Sequence, residues 1–215
     1  MTPAEPLHVA LVARLLALGV GPPDAEALAE IASLAGALAE AGSGYEELGE
    51  LAALARADGL AAEHERLFDG RAPCPPYEGS YEVDPFRQLR QMADVAGFYR
   101  AFGAEPRGER PDHAACELEF LAFLAAARAA APDPKAAARY RETEDAFLRD
   151  HLGRWLPVFA KSLAAETSVA FYDCVARLGR RFVQDELHAR GIVPAPLPRR
   201  RPSAVEGDAV ECGAA

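Results

Sequence analysis

Residues that favour sheets are scarce. Only 17 of the 215 positions hold Val, Ile or Thr, against 47 Ala, which excludes a sheet-built protein and favours helices. Long apolar runs are missing too. The stretch Leu7 to Val20 is interrupted by His8 and Arg14, has no basic segment ahead of it and is too short to span a bilayer, so the chain is expected to stay in the cytoplasm. Cys74, Cys116, Cys174 and Cys212 lie 42, 58 and 38 residues apart with no C-x-x-C pair, so neither a zinc site nor a compact disulfide framework is indicated, and reduced thiols are expected. G-x-S-x-G, Walker A and G-x-G-x-x-G are absent, which removes the common signatures of hydrolases, P-loop enzymes and dinucleotide enzymes. Basic charge is also in deficit. With 23 Lys and Arg against 33 Asp and Glu, the net charge of −10 makes nucleic acid a poor partner.

Half the residues are apolar and 26% are charged, the mix of a globular protein, and a chain of this length buries roughly 70% of its unfolded surface. One core is therefore sufficient. The acid is concentrated at the front: residues 1 to 70 hold 12 Asp and Glu against Arg14, Arg56 and Arg66, whereas the remainder holds 20 basic and 21 acidic residues. Such a distribution suits a cationic partner, the alternative being carboxylates that merely solvate Ala-rich helices.

Thr2-Pro3-Ala4-Glu5 reads as a helix start with Thr2 as cap, and the first helix runs towards Leu18. After Gly21-Pro22-Pro23-Asp24, Leu28, Ile31, Leu34 and Leu38 recur at helical spacing; Ser43 and Glu46 form a capping box before Leu48, Leu51 and Ala55; Leu60 to Phe68 is a short helix. Residues 70 to 85, with four prolines among Tyr77, Glu78 and Tyr81, are loop. Helical spacing returns at Leu89, Met92, Ala96 and Tyr99. A very apolar helix then starts with Asp112 as its cap and carries Cys116, Phe120, Phe123 and Ala127 along one stripe, as befits a central helix. Asp133-Pro134 starts another, Gly153 and Pro157 bend the path around Trp155 and Phe159, and Thr167 or Ser168 caps the last helix, which ends at Gly191. The expected fold is an all-α, single-domain bundle of about eight to ten helices over residues 1–193, with 194–215 a disordered tail rich in Pro, Arg and Ala.

The densest polar cluster is Glu109, Asp112, His113, Glu117 and Glu119. His113 and Glu117 are four apart on a helix and could share a metal or a proton; capping and the helix dipole explain the same residues structurally. A ferritin-like site fails for want of a second E-x-x-H, since Glu5-x-x-His8 stands alone beside a weaker Asp185-x-x-His188. Gly179-Arg180-Arg181-Phe182 looks like an export motif but sits inside a helix with no apolar segment after it.

Three segments carry a resemblance. Pro75-Pro76-Tyr77-Glu78-Gly79-Ser80-Tyr81, then Ala93-Asp94-Val95-Ala96-Gly97-Phe98-Tyr99-Arg100-Ala101-Phe102-Gly103, then Glu109-Arg110-Pro111-Asp112-His113 with Glu117-Leu118-Glu119-Phe120-Leu121, resemble in order and spacing the TorD/DmsD/NarJ family of molybdoenzyme maturation chaperones. Phe147-Leu148-x-x-His151-Leu152-x-x-Trp155 and Phe171-Tyr172 fit as well, so the likeness covers about residues 45 to 190. The wording at 93–103 is most similar to the branch serving nitrate-, selenate-, chlorate- or hydrocarbon-oxidising enzymes.

The resemblance implies a TorD-like, cytoplasmic, all-helical protein that is not an enzyme; since the chain holds no complete ligand set, no cofactor or metal is expected. It would bind the twin-arginine leader and body of an immature molybdenum enzyme, assist cofactor insertion and delay export. Its partners would be that apo catalytic subunit and its leader, with no nucleic acid and no stable membrane association, and a homodimer is an allowed assembly. In the family, the Pro-Asp-His segment and the aromatic loop before it are linked to leader binding; here these are Pro111, Asp112 and His113, and Pro76, Tyr77, Glu78 and Tyr81. A basic leader with an apolar segment needs carboxylates beside an apolar groove. Glu78, Glu109, Asp112 and Glu117 are candidates for the first, and Tyr77, Tyr81, Trp155 and Phe159 for the second, core packing being the alternative for these aromatics. On this reading Asp112→Asn, which keeps a capping oxygen, folds almost normally and loses binding, and His113→Ala behaves similarly. The competing reading from another class is a small metal-dependent hydrolase built on Asp112, His113 and Glu117.

Overall fold

The computed structural model describes residues 5–69, 72–106 and 109–197. Among them are nine α-helices and no strand beyond one isolated bridge: α1 Pro6–Val20, α2 Ala25–Glu40, α3 Glu47–Leu54, α4 Leu60–Phe68, α5 Pro85–Ala101, α6 Ala114–Ala129, α7 Pro134–Phe147, α8 Gly153–Glu166 and α9 Ala170–Arg190. A 3-10 turn, Glu78–Tyr81, precedes α5, and a π turn, Leu148–Leu152, joins α7 to α8.

Several boundaries follow from short polar residues that satisfy free helix amides. Asp24 accepts from Ala27 N at 2.8 Å, and the Asp-Pro pairs at 84–85 and 133–134 start α5 and α7, with Asp84 accepting from Phe86 N and Asp133 from Ala136 N, both at 2.9 Å. Gly191, at φ +66°, closes α9 in the left-handed conformation that a Cβ would disfavour.

Other boundaries depart from expectation. The helix start at Thr2-Pro3-Ala4 lies outside the described residues, and α1 is helical from Pro6. The Ser43–Glu46 box does not form: neither side chain caps α3, and Ser43 Oγ is buried without a partner. Val169, not Thr167 or Ser168, precedes α9, although Thr167 Oγ1 does accept from Val169 N at 3.1 Å. Asp112 is not the cap of α6. That position is His113, whose Nδ1 accepts from Ala115 N at 3.1 Å.

The core forms where α1, with nine of its twelve residues from Val9 to Val20 buried, packs along α6 and against α9, with α8 against α9 and α3 against α9 as well. The buried stripe of α6 is Ala114, Glu117, Leu118, Leu121 and Leu124. Of the stripe expected to be central, Phe120 is buried, Cys116 is half-buried and Phe123 faces out, because α1 lies on the Leu118–Leu121 side. Helical conformation runs unbroken from Pro134 to Glu166, through the π turn and past Pro157, which has no N–H to donate. Of the stretch read as a tail, residues 194–197 lie on the body, with Ala195 O accepting from Arg154 Nε at 3.3 Å and Leu197 half-buried; 198–215 lie outside the described residues.

Candidate functional site

The loop ahead of α5 is laid on the start of α6. Ala114 N donates to Pro76 O at 2.8 Å and Glu78 N to Asp112 O at 2.9 Å, around an antiparallel bridge between Tyr77 and His113. Once the loop is tied there, its 3-10 turn drives Glu78 inward. Glu78 Oε2 lies 3.0 Å from His151 Nδ1 and Oε1 accepts from Arg154 Nη1 at 3.3 Å, so a fully buried carboxylate is held by the π turn and the first turn of α8. Asp112 is equally buried and accepts from Gly79 N at 3.1 Å and from Arg110 Nε and Nη2 at 3.0 and 2.8 Å. One carboxylate thus joins both ends of the junction.

Beneath it, Trp155 Nε1 donates to Glu117 Oε2 at 3.0 Å, and the Tyr81 ring lies on Trp155 at 5.4 Å between centroids. Tyr99 donates to Pro111 O at 2.8 Å. At the surface Tyr77 donates to Glu109 at 3.3 Å, with the Arg110 guanidinium 4.6 Å over its ring. Burial lowers the pKa of His113 and favours the neutral ring, which suits an Nδ1 that accepts a hydrogen bond.

The ten residues singled out from the sequence, from Pro76 to Trp155, therefore share one junction, but they do not share a surface. Pro76, Glu78, Asp112, His113, Glu117 and Trp155 are buried, Tyr77, Tyr81 and Pro111 are half-buried, and Glu109 alone among the carboxylates faces solvent. Phe159 is likewise core. Asp112, His113 and Glu117 each have different partners, and among the described residues no three His, Cys, Asp or Glu come together as a metal-holding group. The acid of the first 70 residues is partly neutralised within the molecule: Glu30 pairs with Arg14, Glu63 with Arg66, and Glu47 and Glu50 with Arg177 and Arg181.

Burial first, and then the charges of Glu78 and Asp112, push the Glu117 carboxyl well above the usual range, and its Oε1 is buried without a partner. The fold then holds this proton more tightly than the unfolded chain does. Glu117 consequently favours folding at low pH and costs stability as pH rises from about 4.3 through the raised folded value. Glu117→Gln keeps the volume and the acceptor for Trp155. It should be at least as stable as the wild type at pH 7 and lack that part of the decline, measured as melting temperatures of both proteins from pH 4 to 8. A variant clearly less stable at pH 7 would mean that the ionised carboxylate is required.

Two depressions flank the junction. One, of about 190 Å³, has Tyr99, Phe120 and Phe123 on its walls and Glu105 and Glu119 at its rim. The other, about 600 Å³, is an open cleft lined by Glu82, Arg87, Arg90, Gln91, Ala93, Asp94 and Arg154. His151, Arg154, Glu105 and Phe123 were missed as site residues. The spacing of His151, Arg154 and Trp155 on one helix face was the available signal for the first two, and the second phenylalanine on the α6 stripe was the signal for the pocket.

The family model described as "Nitrate reductase delta subunit" matches residues 23–161. The selenate reductase assembly chaperone protein of Thauera selenatis is 36% identical over 115 residues, 51% of this chain and 60% of that one. Chaperone protein TorD of Vibrio cholerae is 28% identical over 134 residues, 60% of this chain and 61% of that one. The perchlorate reductase assembly chaperone protein of Dechloromonas aromatica is 32% identical over 130 residues, 56% of each chain. The chain thus spans about 60% of the length of these curated relatives. A crystal structure described as a redox enzyme maturation protein from Archaeoglobus fulgidus shares the fold, with a TM-score of 0.55 at 22% identity, covering 86% of this chain and 96% of that one. With the family model matching well over half its length, the chain belongs to the nitrate reductase delta subunit family, the NarJ/TorD group that its motifs resemble.

Proposed function

We propose that this protein is a cytoplasmic assembly chaperone, not an enzyme, that binds the apo catalytic subunit of a molybdenum oxidoreductase together with its twin-arginine leader, assists cofactor insertion and delays export until the enzyme is complete. The carrying observation is the pocket beside the Pro111–His113 segment, whose aromatic walls are rimmed by carboxylates, in a chain similar to proteins named as reductase assembly chaperones. Apolar walls suit the leader's greasy segment; Glu105 at the pocket and Glu109 nearby suit its arginines, and Glu119 does so in exchange for Arg14, which it holds at 2.8 Å. The buried junction serves this role by rigidity, holding the pocket's edge in place through Tyr99 and Pro111. The hydrolase alternative gains nothing from residues with separate partners.

Affinity capture from the native cytoplasm tests the role: the expected catch is a molybdenum-enzyme catalytic subunit that retains its leader, and capture of mature enzyme alone would overturn it. With the client known, calorimetric titration of its synthetic leader should show binding that weakens as salt rises but survives at high salt, since screening acts on the carboxylates and not on the apolar contact. Phe123→Ser, at a 43% exposed position, should weaken binding on the order of tenfold while leaving the melting temperature within a few degrees. Unchanged affinity would move the leader away from this pocket.

A further inference from the structure

The first half of α5 has an unpartnered face. Phe86 and Leu89 are 79% and 61% exposed, with Val83 exposed just ahead of them, whereas the second half of the helix is held by Val95, Phe98 and Tyr99. Arginines stand within this apolar strip. Among the described residues Arg90 has no carboxylate within 4 Å, and Arg87 reaches only Asp84, at 4.0 Å. Both line the cleft that Arg154 shares, where Glu82 is buried and Asp94 lies 3.3 Å from His151 Nε2. This surface matches an acidic, partly apolar chain.

The protein carries such a segment, and its described part ends beside the cleft. Arg154, which lines the cleft, donates to Ala195 O, and Leu197 is the last residue described. Eighteen residues follow, among them Val205-Glu206-Gly207-Asp208-Ala209-Val210-Glu211, with three acids, two valines and no proline. Eight residues of extended chain reach up to about 27 Å, more than twice the roughly 12 Å of helix from Phe86 to Asp94. The intervening Arg199, Arg200 and Arg201 would be repelled by Arg87 and Arg90, which selects the acidic stretch as the part that seats.

We infer that Val205–Glu211 docks in cis on the exposed face of α5, its valines on Phe86 and Leu89 and its carboxylates on Arg87 and Arg90. Any partner that uses this face must first displace it. The inference does not depend on the chaperone role.

Hydrogen exchange read by mass spectrometry on the full chain tests it. In the triple variant Glu206→Gln, Asp208→Asn, Glu211→Gln, amides of residues 83–94 should exchange several-fold faster than in the wild type, with α6 and α9 unchanged. Arg87→Glu with Arg90→Glu should do the same, and combining that pair with Glu206→Arg and Asp208→Arg should restore protection. Equal exchange over 83–94 in the wild type and the triple variant would overturn the docking. Protection that falls on dilution would also overturn it, because the occupant would then be the tail of a second copy.

Discussion

Replacing Arg190 by methionine should lower the free energy of unfolding by about 3–5 kcal/mol, the usual cost of stranding a buried charge. The side chain of Arg190, in the last turn of α9, is shielded from solvent. Its Nη1 lies 2.8 Å from both Glu144 and Asp145 of α7, and its Nε lies 2.8 Å from Glu186. Glu144, itself without solvent exposure, also accepts from Arg128 of α6 at 2.7 Å, so a single ionic cluster joins three helices. Methionine fills much of the volume but leaves Glu186 buried without a counter-charge. Removing Glu186 as well, in Glu186→Met with Arg190→Met, should recover part of the loss, since no orphan charge then remains at that point. Denaturant unfolding followed by the fluorescence of Trp155, the single tryptophan, measures both. A loss below about 1 kcal/mol, typical of an exposed pair such as Arg149–Asp150, would show that water reaches the cluster.

Asp112→Asn should cost about 1.5–3 kcal/mol, where a residue that only capped α6 would leave stability nearly unchanged. Both Asp112 oxygens receive donors, Gly79 N and the Arg110 fork, and asparagine must turn an NH₂ towards one of them. Beyond the lower melting temperature, the loop at 76–82 should loosen and be cut faster by protease, since Gly79 is one of its anchors. His113→Ala removes the cap of α6 and should cost about 0.5–2 kcal/mol. An Asn variant that melts with the wild type and resists protease equally would return Asp112 to the surface role read from its sequence neighbourhood. The two substitutions then differ in origin: one breaks a tertiary clasp, the other a helix end.

Legibility followed sequence distance. Asp133-Pro134 and Gly191 act on amides and carbonyls within a few residues, and they marked their helix ends correctly, whereas Asp84-Pro85, read as the end of a loop, starts α5 by the same chemistry. Ser43 failed because a cap needs a particular backbone angle as well as a particular side chain, and here Glu46, already helical in φ and ψ, precedes α3. For α6 the apolar pattern identified a core helix but not which side α1 would take, so Phe123 was assigned inward. The constellation at 76–117 was visible because its residues cluster in sequence. Its depth was not, because Glu78 is buried by His151 and Arg154, 73 and 76 positions away.

The π turn at Leu148–Leu152 also sets rotational phase. Each α-helical residue advances the side chain by about 100°, and the wider turn absorbs roughly one residue's worth of that rotation. Upstream, Glu144 and Phe147 face the ionic cluster and the core; His151 within the turn and Arg154 and Trp155 beyond it face the loop junction. The two sets belong to one continuous helical rod, and the Phe98 ring, which meets both Phe147 and His151, spans the change from one to the other. Gly153 belongs to the same device, since a Cβ there would run into the Leu148 carbonyl oxygen. Losing a single residue from this turn would leave each half's sequence intact while swinging Trp155 and its companions out of alignment with Glu78 and Glu117. The rod can therefore vary in composition more readily than in length, and its length is what keeps the two halves of the protein in step.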